Sequence, residues 1–411
     1  MWVACAVVMF QAACTTPASP PDPASVASRY IQLARGFARH DPSLIDHWLV
    51  APREGDPGPR QPVHVLRGDV DALADEIEEV LPAVSGLDRR RVQGLRGQVH
   101  ALQLAARRLM GESLPFDAEA RMGLGIAPAH ADLFEVDRAR EGLEQLLPGT
   151  GALVERVAAF RADFAVPPDR REQVTRAALD QCRAATRDRL RLPEDESIDL
   201  AFVEGLPWDA HARYLGRHRT RIEVNGGRPL DLSRALRLAC HEGYAGHHAQ
   251  YIWMADTLVG ERGWLEYSMV PGFGPHLLVS EGAAEAGADL AMPAARRLAA
   301  YRDHLVPAGG LRADDLERLV QVEDHLAAIE PLIGDIAREY LDNRINAATA
   351  TERLSQEALV TDAAGLLIFI ERRRSRLLAY AEGRRLVREH LGGAGLAGLR
   401  ALFTDRALQL D

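Results

Sequence analysis

The sequence predicts a large, mainly α domain with a small antiparallel β-sheet placed directly before its most informative helix. Three observations lead there. Apolar residues recur at helical spacing over most of the chain from Ser28 onward. Proline and glycine punctuate these stretches, as in LPGTG at 147–151 and VPAGG at 306–310. One region, 198–225, departs from that spacing and alternates instead.

In chain order, Tyr30, Leu33 and Phe37, then Leu44, Trp48 and Leu49, fit one or two short helices. Residues 87–111 give a stronger pattern, with Leu95, Val99, Leu102, Leu104, Ala105 and Leu109 on one face and arginines on the other. Helical patterns follow at 132–147, 151–164, 170–190, 231–260, 278–305, 311–344 and 351–392. The extended segments are 198–204, 211–215 and 219–225, closed by Gly226-Gly227. The expected organisation is one catalytic domain over 28–411. Its N-terminal helical part covers 28–192, and its metal-site part covers 193–392.

Ahead of that domain, Trp2 to Ala13 is apolar and uncharged, but shorter than the roughly 20 residues of a membrane-spanning helix. It reads as the hydrophobic region of a secretory signal. Small residues precede Cys14, and a Pro/Ser/Ala-rich stretch follows it. The pattern is lipoprotein-like: residues 1–14 as the signal, a lipid anchor at Cys14, and 15–27 as a flexible tether. An extracytoplasmic protein, periplasmic or membrane-anchored, is therefore expected.

Acidic side chains outnumber basic ones by 59 to 49 over 411 residues, for a formal charge of -10. That balance argues against general nucleic-acid binding, which needs clustered positive charge. Every basic side chain is arginine, so Schiff-base chemistry on lysine is excluded.

The chemistry concentrates in His241-Glu242-Gly243-Tyr244-Ala245-Gly246-His247-His248, with Glu281-Gly282-Ala283-Ala284-Glu285 some forty residues later. A hydrolytic zinc site needs three protein donors, an open position and a nearby carboxylate not engaged by the metal. Spacing complicates the assignment. On a regular helix His247 lies about 240° around from His241, and His248 is displaced by about 10.5 Å along the axis. Neither pair meets at one ion without a break, which Gly243 and Gly246 would permit. With two residues looped out, His241 and His247 become partners, and His248 becomes a supporting or substrate-contacting group. His248 as the second ligand remains open at this point.

HEGYAGHHAQ resembles the HExxPGHHxQ motif of the bacterial family catalogued as domain of unknown function 885, itself similar to helical zinc metallopeptidases of the gluzincin type. SEGAAEAGADL at 280–290 matches the start of its second signature, and Tyr380-Ala381-Glu382-Gly383 resembles its Tyr-x-x-Gly helix. RIEVNGG at 221–227 would fit the edge strand that lies along the substrate in such enzymes. The resemblance covers about 90–392. It implies His241, His247 and Glu281 as ligands of Zn2+, Glu242 as general base and Tyr380 as the oxyanion donor. Ala245 stands where the family has proline, and the aromatic residue after Glu-Gly is missing.

On residue type alone, Tyr380, Arg374 and Tyr244 are all candidate oxyanion donors. Glu285, one turn beyond Glu281, could orient a ligand histidine. Cys240 could pair with Cys182. His276 and Tyr267 could line a cleft. In Arg372-Arg373-Arg374 and the nearby Arg376, one arginine turned inward could bind a substrate carboxylate. The expected function is zinc-dependent hydrolysis of peptide bonds in short peptides. The alternatives are an exported metal-binding lipoprotein without catalysis and a metal-dependent amidase on non-peptide amides. Cobalt or manganese would suit similar donors.

Overall fold

A computed structural model describes residues 22–51, 59–205, 208–312, 314–405 and 408–410. Cys14 and the expected signal segment lie outside the described residues. The first helix, α1 (Pro23–Ala38), begins inside the segment expected as a tether. Asp22 stops the chain there as an N-cap: its carboxylate accepts from the Ala24 and Ser25 amides, while its own amide donates to the Ser25 hydroxyl. β1 (Ile45–Trp48), α2 (Val63–Val80) and α3 (Gly86–Leu109) follow. Tyr30, Phe37, Leu66, Leu73, Ile77, Leu95 and Leu102 meet between the three helices in an apolar core of their own. Leu44 ends a single 3-10 turn, Pro42–Leu44, while Trp48 and Leu49 do not belong to a helix. Residues 45–48 are extended because a distant strand supplies their hydrogen-bond partners.

α4 (Phe116–Leu124), α5 (Leu133–Leu146), α6 (Leu153–Ala162) and α7 (Arg171–Leu190) lead to β2 (Ser197–Val203), β3 (Ala210–Gly216) and β4 (Arg219–Asn225). The expected sheet forms, with two corrections. β3 and β4 are antiparallel, joined by Arg217-His218, both at positive φ as a two-residue type I′ hairpin requires. That hairpin seats β4 beside β2, so β2 and β4 run parallel and the sheet is mixed. RIEVN is then the central strand, and β3 is an edge.

The metal-site half comprises α8 (Leu232–Glu242), α9 (His247–Trp253), β5 (Met269–Pro271), α10 (Gly274–Ala291), α11 (Ala294–Ala300), α12 (Val306–Gly309), α13 (Leu316–Ile329), α14 (Leu332–Leu341), α15 (Ala347–Gln356), α16 (Ala363–Arg373), α17 (Leu378–Leu391) and α18 (Leu396–Thr404). Short π-helical turns extend α9 and α11. β5 pairs antiparallel with β1, and a buried Arg91–Glu266 bridge ties α3 to the segment before β5. Cys182 of α7 and Cys240 of α8 form a disulfide beside the candidate ligand His241.

α10 and α17 cross at two motif glycines. An ideal Cβ on Gly282 would lie 2.3 Å from the Gly383 carbonyl carbon, so any side chain would force the helices apart. This contact places Tyr380, one turn before Gly383, near Glu281. Among the described residues, no helix is long and apolar enough to cross a membrane.

Candidate metal centre

The site begins where α8 ends. Gly243 to Gly246 double back, with the Gly246 amide donating to the Gly243 carbonyl at 3.2 Å. An ideal Cβ on Gly246 would lie 1.7 Å from the His241 carbonyl oxygen, so only glycine allows this return. Ala245 sits at φ 76°. Proline is locked near −65° and could not occupy this position in the same turn. The helix restarts at His247, and the break turns the His241 and His247 rings edge to face with centroids 4.8 Å apart.

Glu281 of α10 completes the group. The Nε2 atoms of His241 and His247 lie 3.3 and 3.6 Å from its Oε2, and the three donor atoms lie within 4.8 Å of one another. Zinc bonds to His and carboxylate of about 2.0–2.2 Å imply tetrahedral ligand–ligand edges of about 3.3–3.6 Å. The spacing fits such edges better than it fits hydrogen bonds. The remaining ring nitrogens face polar groups behind them. His247 Nδ1 faces Gln250 Oε1 at 3.1 Å, and Gln250 is itself held by Ser280. His241 Nδ1 lies 3.1 Å from Glu285 Oε1, and Arg237 grips both oxygens of Glu285 at 2.8 and 2.9 Å. Support of this kind leaves Nε2 free as a donor on each ring.

Electrostatics follow from this packing. Burial would raise the Glu281 carboxyl, but His247 and His241 outweigh it and hold the value down at about 2. Burial would likewise lower both histidines, yet the facing carboxylates raise them.

Glu242 is 5% exposed, lines the cleft and makes no hydrogen bond or ion pair with the described residues. It is a carboxylate beside the donor group that the group does not use. Tyr380 also lines the cleft, its ring 6.5 Å from the His241 ring, and burial raises its phenol above the ordinary value. The cleft has a volume of about 1550 Å³, larger than most small-molecule pockets.

The other sequence candidates separate here. His248 is fully buried on the far side of the helix, with Nδ1 2.8 Å from Thr220 Oγ1 and Nε2 2.9 Å from Glu196 Oε2. It anchors the turn to the sheet and does not reach Glu281. The Tyr244 hydroxyl donates to the same Glu196 at 2.7 Å, so it is directed away from the cleft. Arg374 is drawn to Glu119 at 2.7 Å. His276 lines the cleft, and burial pushes its imidazole down to about 4. Tyr267 stacks on His276 from within the core.

Two features escaped the sequence reading. Tyr251, one helical turn after His247, stacks on that ring at 5.6 Å and lines the cleft; the i, i+4 spacing was its signal. The second is a further trio of potential metal donors, Asp46, His47 and His211. Asp46 bonds His47 Nδ1 at 2.8 Å and His211 Nε2 at 2.9 Å, and the Tyr214 amide donates to His47 Nε2 at 3.4 Å. These are hydrogen-bond lengths, and they occupy both nitrogens of His47, so the trio fits a hydrogen-bonded array better than an ion site. Burial would lower His211, but the Asp46 hydrogen bond and charge raise it. No local pattern links β1 to β3, which explains why spacing gave no hint.

No family model matches the chain, and no curated protein matches it. A solved structure, a suspected lipoprotein of unknown function from Shewanella oneidensis, is similar at a TM-score of 0.43 and 13% identity, over 94% of this chain and 78% of that one.

Proposed function

We propose that this chain is a zinc-dependent hydrolase of short peptides that works outside the cytoplasm. The observation that carries the reading is the pairing of the His241–His247–Glu281 donor group with a free carboxylate, Glu242, beside it. An ion held there would supply a Lewis acid and lower the pKa of water. Glu242 is placed to accept a proton from that water and to return it to the leaving amine. The Tyr380 hydroxyl, without a hydrogen bond to any described residue, can donate to the carbonyl oxygen as negative charge develops. Gln250 and Glu285 keep the two imidazoles oriented, and Arg237 keeps Glu285 ionised. The Cys182–Cys240 disulfide supports an oxidising compartment, in keeping with the lipid anchor expected at Cys14.

A second reading, metal binding without turnover, rests on the same three donors and needs no role for Glu242. Metal analysis with the Glu242→Gln variant separates the two. The hydrolase reading expects about one zinc per chain in both proteins and a rate loss of about 10²-fold or more in the variant on a short-peptide library. Zinc retained with no cleavage by the parent leaves the binding protein. Cleavage confined to non-peptide amides would redirect the substrate class.

A further inference from the structure

Several arginines that line the cleft are neutralised. Arg237 pairs with Glu285, Arg384 with Glu330 and Arg385 with Glu382. Arg372, Arg373 and Arg376 differ: among the described residues none has a carboxylate within ion-pair distance, and all three line the cleft, Arg372 exposed and the other two partly buried. The chain breaks at Arg374, at φ 52° after the end of α16, and Arg374 turns back to Glu119. Ser375 turns to the same Glu119, and Arg373 before the break and Arg376 after it line the cleft. Arg376 is mostly buried, and all its hydrogen bonds go to neutral oxygens: the carbonyls of Gly272, Arg373 and Arg372, and the Ser43 hydroxyl. Burial and the adjacent charges of Arg373 and Arg108 push its guanidinium down to about 10, and the charges of Asp41 and Glu119 only partly oppose them. Among the described residues Arg373 makes no hydrogen bond from its side chain, and its guanidinium lies over the Phe369 ring at 5.8 Å.

From His241 the path to Arg373 runs over Tyr380 and Phe369 in steps of 5.8–6.5 Å. The guanidinium is therefore no farther from the metal centre than about five or six residues of extended peptide can span. We propose that Arg373 and Arg376 form an anion pocket for the C-terminal carboxylate of a short peptide lying across the metal centre. Arg373 offers the planar fork that suits a carboxylate, and Arg376 adds a fixed charge behind it. Only the position of the scissile bond rests on the hydrolase reading. The pocket is defined by charge and geometry alone.

The test is equilibrium binding to the zinc-loaded full chain carrying Glu242→Gln, read by calorimetry without turnover. The probes are acetyl-alanyl-alanine, its C-terminal amide, and acetyl-alanyl-glutamate diblocked so that only the side-chain carboxylate remains. The expected result is about tenfold or more tighter binding of the free acid than of the amide. That preference should vanish in Arg373→Ala and survive in part in Arg373→Lys. Arg376→Gln, with folding checked by circular dichroism, should weaken the acid alone. Equal affinity for acid and amide, no binding of the acid up to about 10 mM, or a preference that survives Arg373→Ala overturns the proposal. Equal binding of the side-chain acid overturns its C-terminal assignment. Cleavage by the unsubstituted chain is scored separately, so failure of the hydrolase reading leaves this result intact.

Discussion

Gly246→Ala tests whether the turn between α8 and α9 sets the donor geometry. The added methyl would lie 1.7 Å from the His241 carbonyl oxygen and 2.7 Å from that of Cys240, both backbone atoms that no rotamer change can move. Relieving the overlap requires the chain to open by more than an ångström. His247 is the next residue, so its ring moves with the opening. A workable ligand set tolerates departures of about 0.2 Å in its distances, and zinc affinity should fall at least about tenfold. Overpacking of this kind costs about 1–3 kcal/mol of stability. Competition with a chromophoric chelator measures affinity, and urea unfolding measures stability. Gly68→Ala in α2 is the control, because nothing lies within 4 Å of the added methyl and the position is exposed. It should stabilise the helix by about 0.5–1 kcal/mol and leave zinc unchanged. A Gly246→Ala protein with parental zinc affinity would refute the idea that this turn brings His241 and His247 together.

Four further outcomes follow from the same structure. His247→Ala should abolish stoichiometric zinc by elemental analysis. His248→Ala should keep zinc yet lose about 2–4 kcal/mol in urea unfolding, because it leaves the Thr220 hydroxyl unpaired beside a cavity and removes one of the groups that hold Glu196. In the parent, His211 should titrate above its usual value by NMR, since Asp46 outweighs burial; in Asp46→Asn it should drop below that value. The sign for stability is therefore a contribution fully present below about pH 6.5 and lost as pH rises through the folded value. A parent His211 that titrates at or below 6.5 rules this out. Replacing Cys182 and Cys240 with serine opens a loop of separation 58, and chain entropy gives a loss of up to about 4 kcal/mol. A double variant as stable as the oxidised parent would show that the bridge constrains little.

The sequence by itself determined most of the helices and the need for a break in the central motif. Both follow from local rules: a period of 3.6 residues, and two glycines where a regular helix would carry the histidines apart. It also supplied the donors, because His241, Glu242, His247 and Glu281 are close in sequence or sit on adjoining motifs. Helices α2, α4 and α18 were missed even so, since short or charge-rich stretches dilute the period.

What the tertiary structure decided is everything that depends on a partner far along the chain. Residues 45–48 become a strand only because 269–271 pair with them. β4 is central because the β3–β4 hairpin seats it against β2. His248 was left open as a ligand until Glu196 and Thr220 claimed both its nitrogens. Of four arginines within five residues, Arg374 is neutralised by Glu119, 255 positions away, while Arg372, Arg373 and Arg376 stay without a carboxylate among the described residues. Spacing fixes the face of a helix a side chain occupies, but the group opposite that face is set by packing between distant segments, and that packing assigns each charge its role.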